Sequence, residues 1–193
     1  MDAQLLQGSE LYRTVVQQRL ANARESVWVS TANVKAMMVE VAPKKFRPVA
    51  DLFASLVARG VEVRLLHAEL PSRPFRAAFD KHAALVKRME LKICPRVHFK
   101  CVLVDGAWLY LGSANLTGAG LGAKHDDNRN FEVGFVTEDF DTIDQVSALF
   151  SRVWDGRACR TCRLYAQCPD PIGEGPKRRG SDVVLGRARR LRR

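Results

Sequence analysis

The stretch VHFKCVLVDGAWLYLGSAN, Val97 to Asn115, decides how this chain is read. Apart from His98 and Lys100, residues Val97 to Val104 are mostly apolar and β-branched, which predicts a strand. Side chains two apart on a strand share a face, so His98 and Lys100 project together, while Phe99, Cys101 and Leu103 turn the other way into packing. Asp105-Gly106 is a hairpin turn signal, and Trp108 to Leu111 reads as the returning strand. The hairpin returns Gly112, Ser113 and Asn115 to the side of His98 and Lys100. An imidazole, an ammonium, a hydroxyl and an amide are thereby expected at one spot.

That set suits a phosphodiester. Neutral imidazole is a competent nucleophile near pH 7. Lys100 supplies fixed positive charge for phosphoryl oxygens, and Ser113 and Asn115 supply hydrogen bonds to the same atoms. Asn130-Phe131-Glu132 follows, and Glu132 is placed to accept the Nδ1 proton of a histidine and orient it. Lysine and amide donors carry the electrostatics, so no cofactor is expected for catalysis.

His98, Lys100, Asp105, Ser113 and Asn115 fill every position of the HxK(x)4D(x)6GSxN signature, and the stretch resembles that of the phospholipase D superfamily. Asn130 and Glu132 resemble its downstream NxE element. The resemblance covers roughly residues 9 to 154 and implies phosphoryl transfer through a covalent phosphohistidine. That chemistry uses two histidines, one to attack phosphorus and one to protonate the leaving oxygen and then activate water. The chain has four histidines, and only His98 lies in an HxK setting. His67 ends a strand, His82 lies in a helical run and His125 lies in a polar loop. The second catalytic histidine is therefore expected from a second copy of the chain across a two-fold axis. Single-motif members of the superfamily, the small bacterial endonucleases among them, resemble this arrangement.

Outside the hairpin, helices and strands alternate. Helical spacing of apolar residues predicts helices over Ser9–Ala23, Pro48–Arg59, Arg73–Arg88 and Phe140–Trp154. Strands are expected at Val27–Ser30, Val61–Leu66, Met89–Ile93 and Phe131–Val136. This is an α/β chain, a mixed β-sheet flanked by helices, in keeping with the phospholipase D-like fold. A catalytic domain is expected over residues 1–156, a Cys-rich segment over 157–174 and a basic, disordered tail over 175–193.

The 193 residues hold 31 Lys plus Arg against 21 Asp plus Glu. The tail from Gly175 carries eight basic residues and one acid, so +7 of the net +10 resides there. Such a tail suits contact with phosphates without sequence preference, and Lys35, Lys44, Lys45 and Arg47, read as a loop, add to it. The expected partner is nucleic acid, DNA or RNA. Anionic membranes also attract basic tails, so a phospholipid hydrolase or transphosphatidylase stands as an alternative, as does a catalytically silent nucleic-acid binding module. No apolar run reaches eighteen residues and the N-terminus has no signal-peptide pattern, so a cytoplasmic protein without stable membrane insertion is expected.

Cys159, Cys162 and Cys168 fall within ten residues. Disulfides are disfavoured in the cytosol, and thiolate spacing of this kind suits structural zinc or an iron–sulfur cluster. The fourth ligand is open among Cys94, Cys101 and His125.

Overall fold

A computed structural model describes residues 2–121 and 123–176. The expected basic tail lies outside the described residues from 177 onward. In chain order the elements begin with β1 (Ala3–Gln7) and a helical segment of changing pitch. That segment is α-helical over Ser9–Leu11 (α1), widens to a π-helix over Tyr12–Arg19 and tightens to 3-10 over Leu20–Asn22. There follow β2 (Ser26–Thr31), β3 (Met38–Ala42), β4 (Lys45–Pro48), α2 (Val49–Ala58), β5 (Glu62–His67), α3 (Arg73–Phe79), α4 (Ala83–Arg88) and β6 (Glu90–Ile93). The chain continues through β7 (Lys100–Val104), β8 (Trp108–Gly112), β9 (Val133–Thr137) and α5 (Phe140–Trp154).

Seven strands form one mixed sheet in the order β1-β9-β8-β7-β2-β5-β6. The pairs β2–β5 and β5–β6 are parallel, and the other four pairs are antiparallel. Alternation along β7 divides the core as the pleat requires. Val102 and Val104 join Val27, Val29, Val63 and Leu65 against the N-terminal helical segment and α2, where Val15, Val16, Phe53 and Leu56 are fully buried. Cys101 and Leu103 join Leu66 and Leu109 against Ile143, Phe150 and Trp154 of α5. Phe99 packs on this second side, as expected. Trp28, Phe150 and Trp154 stack at 5.3 and 5.5 Å, with the Arg64 guanidinium over both indoles.

Several expectations need correction. The catalytic-hairpin strand starts at Lys100 and not at Val97, so His98 lies in the approach to β7. The run Arg73–Arg88 is two helices, because His82 takes an extended conformation and its ring instead reaches Asp51 at 3.0 Å. Lys44, Lys45 and Arg47 belong to the β3–β4 hairpin rather than to a loop. Strand β1, which the sequence reading did not foresee, pairs along its full length with β9. The last strand begins at Val133, leaving Phe131 fully exposed.

Candidate active site

The register of the sheet places the signature. Lys100 opens β7 opposite Gly112, the last residue of β8, and Gly112 lies opposite Gly134 near the start of β9. Thr31 closes the neighbouring β2 at the same end of the sheet. His98, Lys100, Ser113, Asn115 and Glu132 therefore gather at one end of four adjacent strands, as the sequence led one to expect for the first four.

Lys100 is almost wholly buried. Its Nζ donates to the His98 carbonyl at 2.6 Å and lies 3.3 Å from each nitrogen of the His98 ring. Ammonium and imidazole thus form one unit, locked by a bond to the backbone between them. The Asn115 side chain is fixed through its oxygen. Oδ1 accepts from the backbone N–H groups of Ala32 and Asn33 and lies within hydrogen-bond reach of Thr31 Oγ1, each at 3.1 Å. With the oxygen so occupied, the amide NH2 is the group left to donate. Thr31, which sequence reasoning missed, also accepts from Leu116 N–H at 3.0 Å and ties the loop after β8 to the end of β2.

Ser113 accepts from Val133 N–H at 3.1 Å and its hydroxyl donates to Glu132. Asn130 donates to the other oxygen of Glu132 at 3.1 Å. Glu132 was expected to orient a histidine; among the described residues its hydrogen bonds go to Ser113 and Asn130 and to no histidine of this copy. The β8–β9 register sets this carboxylate beside Ser113, across β8 from His98. Below these groups lies Tyr110, another missed residue. Its ring fills the space left by two glycines, since a Cβ on Gly112 would meet the Tyr110 hydroxyl at 2.5 Å and the Gly134 Cα at 2.7 Å. Burial, with a smaller push from Glu132, raises the Tyr110 phenol to about 12 against a bond from Ala114 N–H, so it stays protonated.

Asp105 does not join them. Five residues of extended strand separate it from Lys100, about 17 Å at the usual rise. Its carboxylate instead accepts from the backbone N–H groups of Arg24, Glu25 and Ser26 at 2.8–3.1 Å. Burial opposes its ionisation, but these three donors together outweigh burial and hold the carboxyl below its ordinary value. Asp105 was expected among the catalytic groups through its place in the signature; its position corrects this, for it fastens the entry to β2 at the far end of the sheet. Asp105 and Gly106 both have positive φ, 55° and 62°, the backbone of the expected tight turn.

The other histidines take structural positions. His67 is buried with Nδ1 2.6 Å from the Glu69 carbonyl, and burial lowers its pKa. His125 lies on an exposed loop beside Asp127.

The family model described as "Cardiolipin synthase, PLD-like domain" matches residues 16–154, most of the chain. The chain belongs to the phospholipase D-like family. No curated protein sequence matches it. Among solved structures, NucT from Helicobacter pylori superposes with a TM-score of 0.55 at 18% identity over 78% of this chain and 94% of its own. Nuc from Salmonella typhimurium, a phospholipase D family member, superposes with a TM-score of 0.56 at 17% identity over 79% and 95%. TrmBL2, an archaeal chromatin protein, reaches 0.53 at 14% identity over 80% of this chain and 52% of its own. At these identities the likeness is one of fold. Against Nuc and NucT the match spans nearly the whole of the other chain. Among the described residues, no helix is long and apolar enough to cross a membrane.

Proposed function

We propose that this protein is a phosphodiesterase that hydrolyses nucleic acid, without a catalytic metal, at a site shared by two copies of the chain. The observation that carries the proposal is the His98–Lys100 unit, placed beside Ser113 and the free amide of Asn115 at one sheet end. In this reading His98 of one copy attacks phosphorus. A P–N bond forms as the P–O bond to the leaving group breaks, and His98 of the second copy gives that oxygen a proton. The second imidazole then takes a proton from water, whose oxygen displaces His98 and frees the phosphate monoester. Lys100 and Asn115 hold the phosphoryl oxygens throughout. The Ser113 hydroxyl, poised on Glu132, turns to the same oxygens when substrate arrives. The likeness to Nuc and NucT and the DNA binding stated for TrmBL2 support nucleic acid as the substrate class.

The family model's description names a lipid enzyme, so phospholipid is the second reading to test. Purified protein is incubated in EDTA with labelled single- and double-stranded DNA, RNA and phosphatidylcholine vesicles. Cleavage of a nucleic acid is expected, with His98→Asn reducing turnover at least a thousandfold while binding is kept. Turnover of the vesicles alone would replace the substrate class. Binding of nucleic acid with no turnover of any substrate would make the chain a binding module. His98→Asn activity within tenfold of wild type would end the phosphohistidine mechanism.

A further inference from the structure

Four of the five cysteines, one from the body of the sheet and three from the segment after α5, converge on one cavity. Cys94 directly follows β6. Cys159 lies on a 3-10 turn over Arg157–Thr161, Cys162 follows it, and Cys168 follows a second turn over Tyr165–Gln167. All four line the cavity, with Ile93, Tyr165 and Ile172 among the other walls. Cys101 is excluded, since it is fully buried in β7 and burial pushes its thiol up to about 12. His125 is exposed on its loop and is not among the lining residues.

The segment that brings these thiols together has no core of its own. None of residues 157–176 is fully buried. It is nonetheless folded back on the body. Ile93 N–H donates to Asp170 at 2.9 Å, and Gly156, at φ 70°, meets Gly173 so closely that a Cβ on Gly173 would lie 2.7 Å from the Gly156 carbonyl. A segment of this size without buried apolar side chains needs a staple, either a disulfide or a metal. All four thiols are free.

We propose that Cys94, Cys159, Cys162 and Cys168 ligate one metal centre, a zinc ion or an iron–sulfur cluster held by four thiolates. Each thiol gives its proton to solvent as it ligates. Among the described residues no three ligating side chains already stand close enough together to hold a metal ion, so ligation draws the four thiols inward from the cavity wall. A lone zinc ion draws its sulfurs to about 2.3 Å from one centre. The centre lies beside the catalytic approach. Val97 N–H donates to the Cys94 carbonyl at 2.9 Å, and His98 is the next residue. The metal thus positions the nucleophile's segment and takes no part in the chemistry.

The test uses full-length protein purified without oxygen or added metal. Iron, acid-labile sulfide and zinc are measured, and absorbance is recorded near 400 nm. Either one zinc per chain, or iron with matching sulfide and the visible band, is expected, and the two results separate the two centres. Cys94→Ser should cut the bound metal at least fivefold, whereas His98→Asn, which shares the fold but not the cavity, should keep it. Metal-free protein in which all four thiols react freely in the native state, or are joined in a disulfide, overturns the proposal. So does a folded Cys94→Ser variant with undiminished metal. These readouts stand whether or not the protein cleaves nucleic acid.

Discussion

The aspartate of the signature performs a structural task while sharing a motif with catalytic groups. Three backbone N–H groups converge on Asp105 and would lose an ionic acceptor on substitution. Asparagine tolerates the positive φ of the turn, so Asp105→Asn isolates the charge. It is expected to lower stability by about 1–3 kcal/mol at neutral pH and to leave turnover per folded molecule within about threefold. The folded pKa is depressed, so the charge contributes stability above the ordinary carboxylate range near about 4 and loses it as pH falls through the folded value. Denaturant titrations of the two proteins should therefore converge below that range. A gap that persists or widens in acid contradicts the assignment. The residue pattern placed Asp105 with the catalytic groups by spacing alone. Only the strand register shows that it sits at the opposite end of β7 from Lys100.

At the scale of elements, legibility followed burial. Helix α5 was read to its boundaries because Ile143, Phe150 and Trp154 recur on one buried face. The β7–β8 hairpin was legible from Asp105-Gly106. Strand β1 was not, since of Ala3–Gln7 only Leu6 is buried and no alternation marks it. Likewise β3 buries only Val39, and no strand was expected there. The break between α3 and α4 rests on a long-range bond from His82 to Asp51 that no local pattern announces. In the site, His98, Lys100, Ser113 and Asn115 were legible because their chemistry is their own. Thr31 and Tyr110 were not, because each acts through a neighbour from another strand. The β8–β9 pairing yields a sharper test. Gly112→Ala places a methyl against backbone atoms of Val133 and Gly134 that cannot swing aside. A loss of about 1–3 kcal/mol in thermal or chemical unfolding is expected. The spread of β8 from β9 should also part Ser113 from Glu132 and cut turnover at least tenfold. Wild-type stability together with wild-type turnover would show that the strands have slack there.

At the scale of the molecule, the proposed sharing of one site by two copies predicts how mixtures behave. Wild type and His98→Asn, exchanged to equilibrium in equal amounts, leave about a quarter of dimers with two histidines if pairing is random. Activity should fall to about that fraction of the same total amount of wild type. A fall only to half, or full activity in a monomer, would show that each chain works alone. The basic tail makes a separate prediction. Deletion of residues 177–193 should weaken binding to nucleic acid and flatten the salt dependence of affinity, with the turnover of saturated enzyme unchanged. An unaltered salt slope would assign the polyanion contact to the body of the protein.

The pairing of β1 with β9 joins Ala3 to Thr137, and the Asp2 carbonyl accepts a further bond from the Thr137 hydroxyl at 2.6 Å. Strand β1 is thus completed only by the last strand of the sheet to be made. Until residue 137 has emerged, β9 is missing, Ser113 lacks its seat on Val133 and Glu132 has no fixed place. A chain that ends short of residue 137 therefore cannot assemble this candidate site. A marker peptide added ahead of Ala3 would burden the very strand that closes the sheet beside that site.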